Sequence, residues 1–306
     1  MERTSSITAL VSAFSRAYHA RNNQVKVFDD SMAERFITEK EYEQISFNMT
    51  QGIKFFNSDF SGSDTEALRW IVDNQLSPSP VGRAAYAEKM LENAVRFGAE
   101  QYLIFAAGFD TFAYRQPDYA HKLQIFEIDH LLTSADKQER AKAAVKDDIS
   151  NLHYISVDLT EKEWPKALLS TPEFDKSKIS FCSLLGISYY MTKHDFNNFM
   201  GGIAQLIPDG SSIVFDYPNK EDCINTTEKV NKQAAMAKAA GESMLSEYSY
   251  EEIENILSDN GILIYEHLEP KEITEQYFKE YNKANPKHPM KAFDNVNFCL
   301  GVKKKF

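Results

Sequence analysis

The chain has 306 residues, 43% hydrophobic and 26% charged, a composition that can bury a large core and differs from that of disordered segments. Its 34 basic and 45 acidic residues give a net charge of -11, which works against a nonspecific grip on a phosphate backbone and sets nucleic acid aside as a partner. No apolar run approaches the roughly 20 residues that span a bilayer, and the N-terminus MERTSSITALVSAFSRAYHA lacks a signal-peptide core, so no membrane association and a cytoplasmic setting are expected.

Thr8 to Ala20 reads as a helix and Asp30 to Ile37 as a second, short one, with Phe28 and Met32 as packing anchors. Nothing alternates at the strand period before Tyr102, so residues 1–80 are expected to form a helical cap over a sheet. Leu76-Ser-Pro-Ser-Pro-Val81 reads as a break. From Ala84 to Phe97 the set Tyr86, Met90, Ala94 and Phe97 makes an apolar helix face, and Gly98 is placed to end it.

A regular alternation follows. Strands are expected at Tyr102 to Ala106, Leu123 to Ile128, Leu152 to Val157, Ile179 to Leu184 and Ser212 to Tyr217, with helices at Ser134 to Val145 and Lys193 to Leu206. This is the pattern of a mostly parallel α/β sheet with helices on both faces. Asn219 to Ser246 interrupts it with a polar, alanine-containing, helical excursion, so 219–248 is expected to be a cap insertion in a single domain spanning 1–306. A helix at Tyr250 to Leu257 and strands at Ile262 to His267 and Val296 to Val302 complete a seven-stranded sheet, the last strand pairing antiparallel at its end.

The chemistry concentrates where the first strand ends. Ala107-Gly108-Phe109-Asp110-Thr111 follows the run Gln101 to Phe105, and Gly108 there permits a tight turn whose N–H groups can face a polar ligand. The next strand ends Phe126-Glu127-Ile128-Asp129, about twenty residues on, which is the layout of a nucleotide-type cofactor site. Glu127 and Asp129 share a side of an extended strand, and either carboxylate can accept both ribose hydroxyl protons. Asp129 stands nearer the turn and is the stronger candidate. The absence of GxGxxG removes the close pyrophosphate approach of a dinucleotide site and favours a ligand without phosphates. S-adenosylmethionine is such a ligand, with adenine, a ribose diol, a sulfonium and an amino-acid end. Val157-Asp158-Leu159 offers an acid and an apolar cover for the adenine, and Arg83 a bidentate partner for the carboxylate of the amino-acid end.

Taken in order, Arg83-Ala-Ala-Tyr86, Ala107-Gly-Phe-Asp-Thr111, Phe126-Glu-Ile-Asp129, Val157-Asp-Leu159, Gly186-Ile-Ser-Tyr-Tyr-Met-Thr192 and Phe215-Asp-Tyr217 resemble the leucine carboxyl methyltransferase superfamily. Within it the chain looks most like a bacterial O-methyltransferase branch that includes polyketide-type enzymes. Arg16-Ala-Tyr-His19 and Asp29-Asp-Ser-Met-Ala33 extend the resemblance over nearly the whole length. It implies a class I methyltransferase-like fold with extra helices around the pocket and S-adenosylmethionine as cofactor. By motif position it implies Arg83 as the carboxylate ligand, Gly108 in the cofactor turn, Asp129 at the ribose, and Asp158 with Leu159 at the adenine; Ala107, Asp110 and Leu185 are further candidates for the cofactor site. The chain departs from the family where a glutamate usually precedes the second glycine motif, since Leu185 stands before Gly186. A carboxylate beside the cofactor is thereby missing.

A small-molecule hydroxyl or carboxyl acceptor is the expected substrate. Methyl transfer needs an oxygen in line with the methyl–sulfur bond and little covalent help. A carboxylate acceptor needs no deprotonation, whereas a phenol gains from a base. Tyr190 and Tyr114 are candidates to orient the acceptor, and His194 is a candidate base. Two alternatives stand beside this reading: a cofactor-binding or protein-interaction module without turnover, and a carboxyl methyltransferase acting on a protein C-terminus. Cys182, Cys223 and Cys299 have no metal-ligand spacing, so no metal is expected. Oligomeric state is left open.

Overall fold

The computed structural model describes residues 6–145, 148–220, 228–239 and 241–304. Its sheet consists of β1 (Gln101–Phe105), β2 (Gln124–Asp129), β3 (Leu152–Ser156), β4 (Ser180–Leu184), β5 (Ser212–Pro218), β6 (Ile262–Leu268) and β7 (Val296–Lys303). The spatial order is β3-β2-β1-β4-β5-β7-β6. The first five strands pair parallel, and β7 pairs antiparallel with both β5 and β6. This is the α/β class I methyltransferase-like arrangement. The last strand is antiparallel as expected but is not the outermost. The helix Tyr250–Asp259 carries the chain past β5, so β6 forms the edge and β7 fills the gap between them. A register irregularity between Ile264 and Glu266 leaves Tyr265 exposed on that edge, where such a feature hinders pairing with another chain.

Strand periodicity divides the core. Leu103 and Phe105 of β1 face Trp164, Phe199 and Met200, while Tyr102 and Ile104 face Tyr86, Leu91 and Phe181. The helix Pro78–Arg96 supplies much of the second layer. It begins inside the stretch expected to be a break, because a proline in the first turn forfeits no helical hydrogen bond. Phe97 lies beyond the helix end and is 85% exposed, so it is not part of the apolar face assigned to it.

A third core lies under the N-terminal helices. The helix Ile7–Asn22 starts at Ser6, whose hydroxyl accepts from the Ala9 amide at 3.1 Å, and buries Phe14 and Tyr18 against Phe36, Phe56 and Ile71. The expected helix around Asp30 is a single tight turn, Ala33–Phe36. Within 219–248 the structure describes a helix, Glu228–Ala239, and residues 221–227, with Cys223, lie outside the described residues. The two ends of this insertion meet: Tyr248 N donates to Pro218 O and Lys220 N to Tyr248 O, each at 2.9 Å. The excursion therefore leaves the sheet after β5 and returns to the same point.

Candidate functional site

The turn after β1 is set by two left-handed residues, Ala106 at φ 49 and Gly108 at φ 48. For Ala106 that conformation is strained, and strain of this kind collects where a backbone must face a ligand. The turn is pinned from β2. Asp129 Oδ2 accepts from Gly108 N at 2.5 Å, and its Oδ1 accepts from His130 N at 2.6 Å. Burial pushes the Asp129 carboxyl above its usual range, and these two amide bonds pull it back. The parallel register Phe105 to Ile128 brings the two strand ends level, so the sheet places the carboxylate beside the glycine. The N-terminal helix lies directly over this turn, since a Cβ built on Gly108 would stand 3.1 Å from that of Ala9.

Arg83 occupies the opposite end of the site. It sits on the helix Pro78–Arg96 over Gly186, where φ is +72 and a side chain would overlap the guanidinium. Arg83 Nη1 pairs with Asp216 Oδ2 at 3.3 Å, and Asp216 is fully buried at the end of β5. Asp216 Oδ1 accepts from Gly186 N at 2.6 Å, and its other oxygen accepts from Tyr189 Oη. Burial alone would lower the Arg83 pKa, but Asp216 more than reverses that, so the guanidinium stays charged.

Between these ends lies a cavity of about 610 Å³, of the size that small-molecule ligands occupy. Arg83, Ala107, Gly108, Asp110, Asp129 and Leu185 lie on its wall. Tyr190 joins them from the turn after β4. The remaining candidates lie elsewhere. Glu127, one inward step below Asp129, is buried and ion-paired with Lys137 at 2.6 Å. Asp158 turns back onto its own loop, accepting from Thr160 N at 2.9 Å and Thr160 Oγ1 at 2.6 Å, while Leu159 packs on the core. Their loop starts beside the site, because Val157 N donates to Asp129 O at 2.8 Å. Tyr114 is directed away from the cavity, its ring on Phe36 at 4.8 Å and its hydroxyl against that of Tyr154. His194 is exposed in the first turn of the helix Lys193–Leu206, 3.0 Å from the Asn198 amide, and does not reach the wall.

Three features of the site escaped the sequence reading. Asp216 supplies a carboxylate under Arg83 from the Phe215-Asp-Tyr217 segment, whose apolar flanks gave no sign of a charge at the sheet centre. Asp30 is a buried junction: it pairs with Arg16 at 2.8 Å and Arg115 at 3.3 Å, and accepts from Thr111 Oγ1 at 2.5 Å. Arg16 also donates to Phe109 O at 2.6 Å, so the N-terminal helix is bolted to the cofactor-type turn. Both residues sit in segments that carried the family resemblance, yet nothing local showed that they meet. The third feature is Glu242, which reaches the wall from the insertion.

A guanidinium at one end, a carboxylate at the other and a bare backbone turn between them suit a nucleoside carrying an amino-acid tail. The residues present thus fit S-adenosylmethionine. Among the described residues no group of three His, Cys, Asp or Glu side chains could hold a metal, and no helix is long and apolar enough to cross a membrane. Cys182 and Cys299 are buried free thiols whose pKa burial raises.

Known proteins share this architecture and sequence. A model of the leucine carboxyl methyltransferase family matches residues 9–204. A Bacillus subtilis (strain 168) protein, YktD, named provisionally and without an acceptor as an S-adenosyl-L-methionine-dependent methyltransferase, is 40% identical over 306 residues, 98% of each chain. A Mycobacterium tuberculosis (strain H37Rv) protein named in the same provisional way is 26% identical over 178 residues, 58% of this chain and 49% of that one. A DUF574 family protein of Streptomyces avermitilis matches in fold, with a TM-score of 0.55 at 13% identity over 84% of this chain and 96% of that one.

Proposed function

This chain belongs to the leucine carboxyl methyltransferase family, and from that premise we propose that, as an S-adenosylmethionine-dependent methyltransferase, it methylates an oxygen of a small-molecule hydroxyl or carboxyl acceptor. The observation that carries the reading is the cavity whose wall includes both Arg83 and Asp129 together with the Gly108 turn. Bound there, the cofactor supplies an activated methyl group on a sulfonium.

The chain's own residues bind, orient and exclude water. Arg83, its charge kept by Asp216, holds the carboxylate of the amino-acid end. Asp129 accepts the ribose hydroxyls, and its bonds to two backbone amides keep it in place without a bound ligand. Asp158 and Leu159, on the loop that starts beside Asp129, serve the adenine after a modest turn of that loop. The N-terminal helix covers the glycine turn and keeps water from the reacting centre. Tyr190 stands on the wall near Arg83, where its ring and hydroxyl orient the acceptor.

Calorimetry with S-adenosylmethionine and S-adenosylhomocysteine tests the first step, and saturable binding of both is expected. Incubation with hydroxyl and carboxyl compounds, read by mass, tests the second and should give products one methyl heavier. Binding without any such product would leave a cofactor-binding module in place of an O-methyltransferase.

A further inference from the structure

The amino-acid end of S-adenosylmethionine carries an ammonium as well as a carboxylate, and each needs a counter-group in a dry site. Around Arg83 the choice is narrow. Leu185 is apolar, and Asp216 lies behind the wall with its oxygens bonded to Gly186 N, Tyr189 and Arg83 itself. Asp110 stands on the other side of the turn, where its Oδ1 accepts from Phe112 N at 2.8 Å and its charge acts on Arg115.

Glu242 is differently placed. Beyond the helix Glu228–Ala239, Gly241 is left-handed at φ +82, and Glu242 N returns to Ala237 O at 2.9 Å in a helix-ending turn. Three residues on, Leu245 N donates to Tyr189 O at 2.6 Å, which ties this stretch to the residue that bonds Asp216. Glu242 is thereby fixed at the Arg83 end of the cavity. Its Oε1 accepts from Ser6 Oγ at 2.9 Å and its Oε2 from Thr8 Oγ1, both at the start of the N-terminal helix. Among the described residues no cation pairs with it, although it lies on the wall. Tyr190 stands between the two charges: burial and Glu242 push its phenol up, and Arg83 pulls it down.

We propose that Glu242, delivered by the insertion after β5, is the counter-charge for the cofactor's ammonium, so that cofactor and cap close on one another. This inference rests on the S-adenosylmethionine reading above. It explains how a site with Leu185 at its rim still answers both charges of the amino-acid end. It also gives the insertion a role in binding the cofactor in addition to covering the acceptor.

The test compares two ligands on the wild type and on Glu242→Gln, which keeps the side chain's shape, offers one acceptor and one donor to the Ser6 and Thr8 hydroxyls, and removes the charge. S-adenosylhomocysteine carries the ammonium; 5′-methylthioadenosine has the same nucleoside thioether without it. Glu242→Gln should weaken S-adenosylhomocysteine by about 10- to 100-fold, as for a lost charge-assisted bond, and leave 5′-methylthioadenosine within about twofold. Equal weakening of both ligands would reduce Glu242 to a structural latch and overturn the proposal, and so would no change in either. A wild-type protein that bound no S-adenosylhomocysteine would sink the cofactor reading itself, a distinct result.

Discussion

The floor of the cavity and its cover are held by different kinds of contact. The floor is made of strand ends whose parallel register sets Asp129 against Gly108 and Asp216 against Gly186, each through a backbone amide. The cover is made of side-chain bonds between distant segments: Thr8 and Ser6 with Glu242, and Arg16 with Asp30 and Phe109. A floor of this kind exists before any ligand arrives, because moving it means breaking the sheet. A cover held by hydroxyls and carboxylates can release one bond at a time, which suits the part of the molecule that must admit a cofactor and let a product go.

The sharpest way to break the comparison is to remove a charge from the floor. Asp216→Ala leaves the mostly buried Arg83 guanidinium without its partner, and loss of one member of a buried pair costs about 3–5 kcal/mol. Urea unfolding should show that loss, and a midpoint equal to wild type would mean that Arg83 finds water or another acid and that the floor is not preformed.

The cover has its own weak point in pH. His19 is fully buried, its Nε2 accepts from Val27 N at 2.9 Å, and its pKa falls to about 4 through burial and the charges of Arg69 and Lys26. Its folded pKa lies below the unfolded value near 6.5, so only the unfolded chain takes up the proton between the two. The stability from neutral His19 is complete above pH 6.5 and is lost as pH falls towards 4, by up to about 3 kcal/mol. His19→Gln should therefore cost more stability at pH 7 than at pH 4. If the difference between variant and wild type is the same at both values, the histidine titrates in the folded state and the cover is wetter than its packing implies.

Next in size is the floor's ligand contact. Asp129→Ala removes the carboxylate nearest the turn and frees the Gly108 and His130 amides, and S-adenosylhomocysteine affinity should fall about 100-fold. Calorimetry that shows less than about a threefold loss would move the ribose site away from β2.

The same contrast explains what could be read from sequence. The seven strands and the turn at Gly108 were legible because an apolar run, a small-residue exit and a terminal acid lie within a few residues of each other. Strand period alone could not separate Glu127 from Asp129, since both lie on one side. Depth separates them: Asp129 is at the rim, whereas Glu127 is one pair further in, under Lys137. Tyr114 and His194 were chosen by nearness along the chain, and helix phase turned both off the wall. Pro78 was read as an interruption although the first turn of a helix tolerates it. Asp216, Asp30 and Glu242 act through partners up to 236 positions away, and no local pattern announces such a meeting.

Besides the Arg16 bond to Phe109 O, floor and cover touch through a pair of small residues, Gly108 and Ala9, and the smallest predicted effect tests that seam. Gly108 is left-handed at φ +48, a conformation that costs a residue with a Cβ about 1–2 kcal/mol. Its new Cβ would also stand 3.1 Å from that of Ala9, so the N-terminal helix must shift to admit it. Gly108→Ala should thus lose about 1–2 kcal/mol in urea unfolding and weaken S-adenosylhomocysteine. The two causes separate in a double-mutant cycle, because Ala9→Gly removes the clash and leaves the backbone strain. Gly108→Ala should cost about 0.5 kcal/mol less in the Ala9→Gly background than alone. A coupling of zero would show that the helix does not rest on the turn, and that the N-terminal helix is held to it by the Arg16 bond to Phe109 O instead.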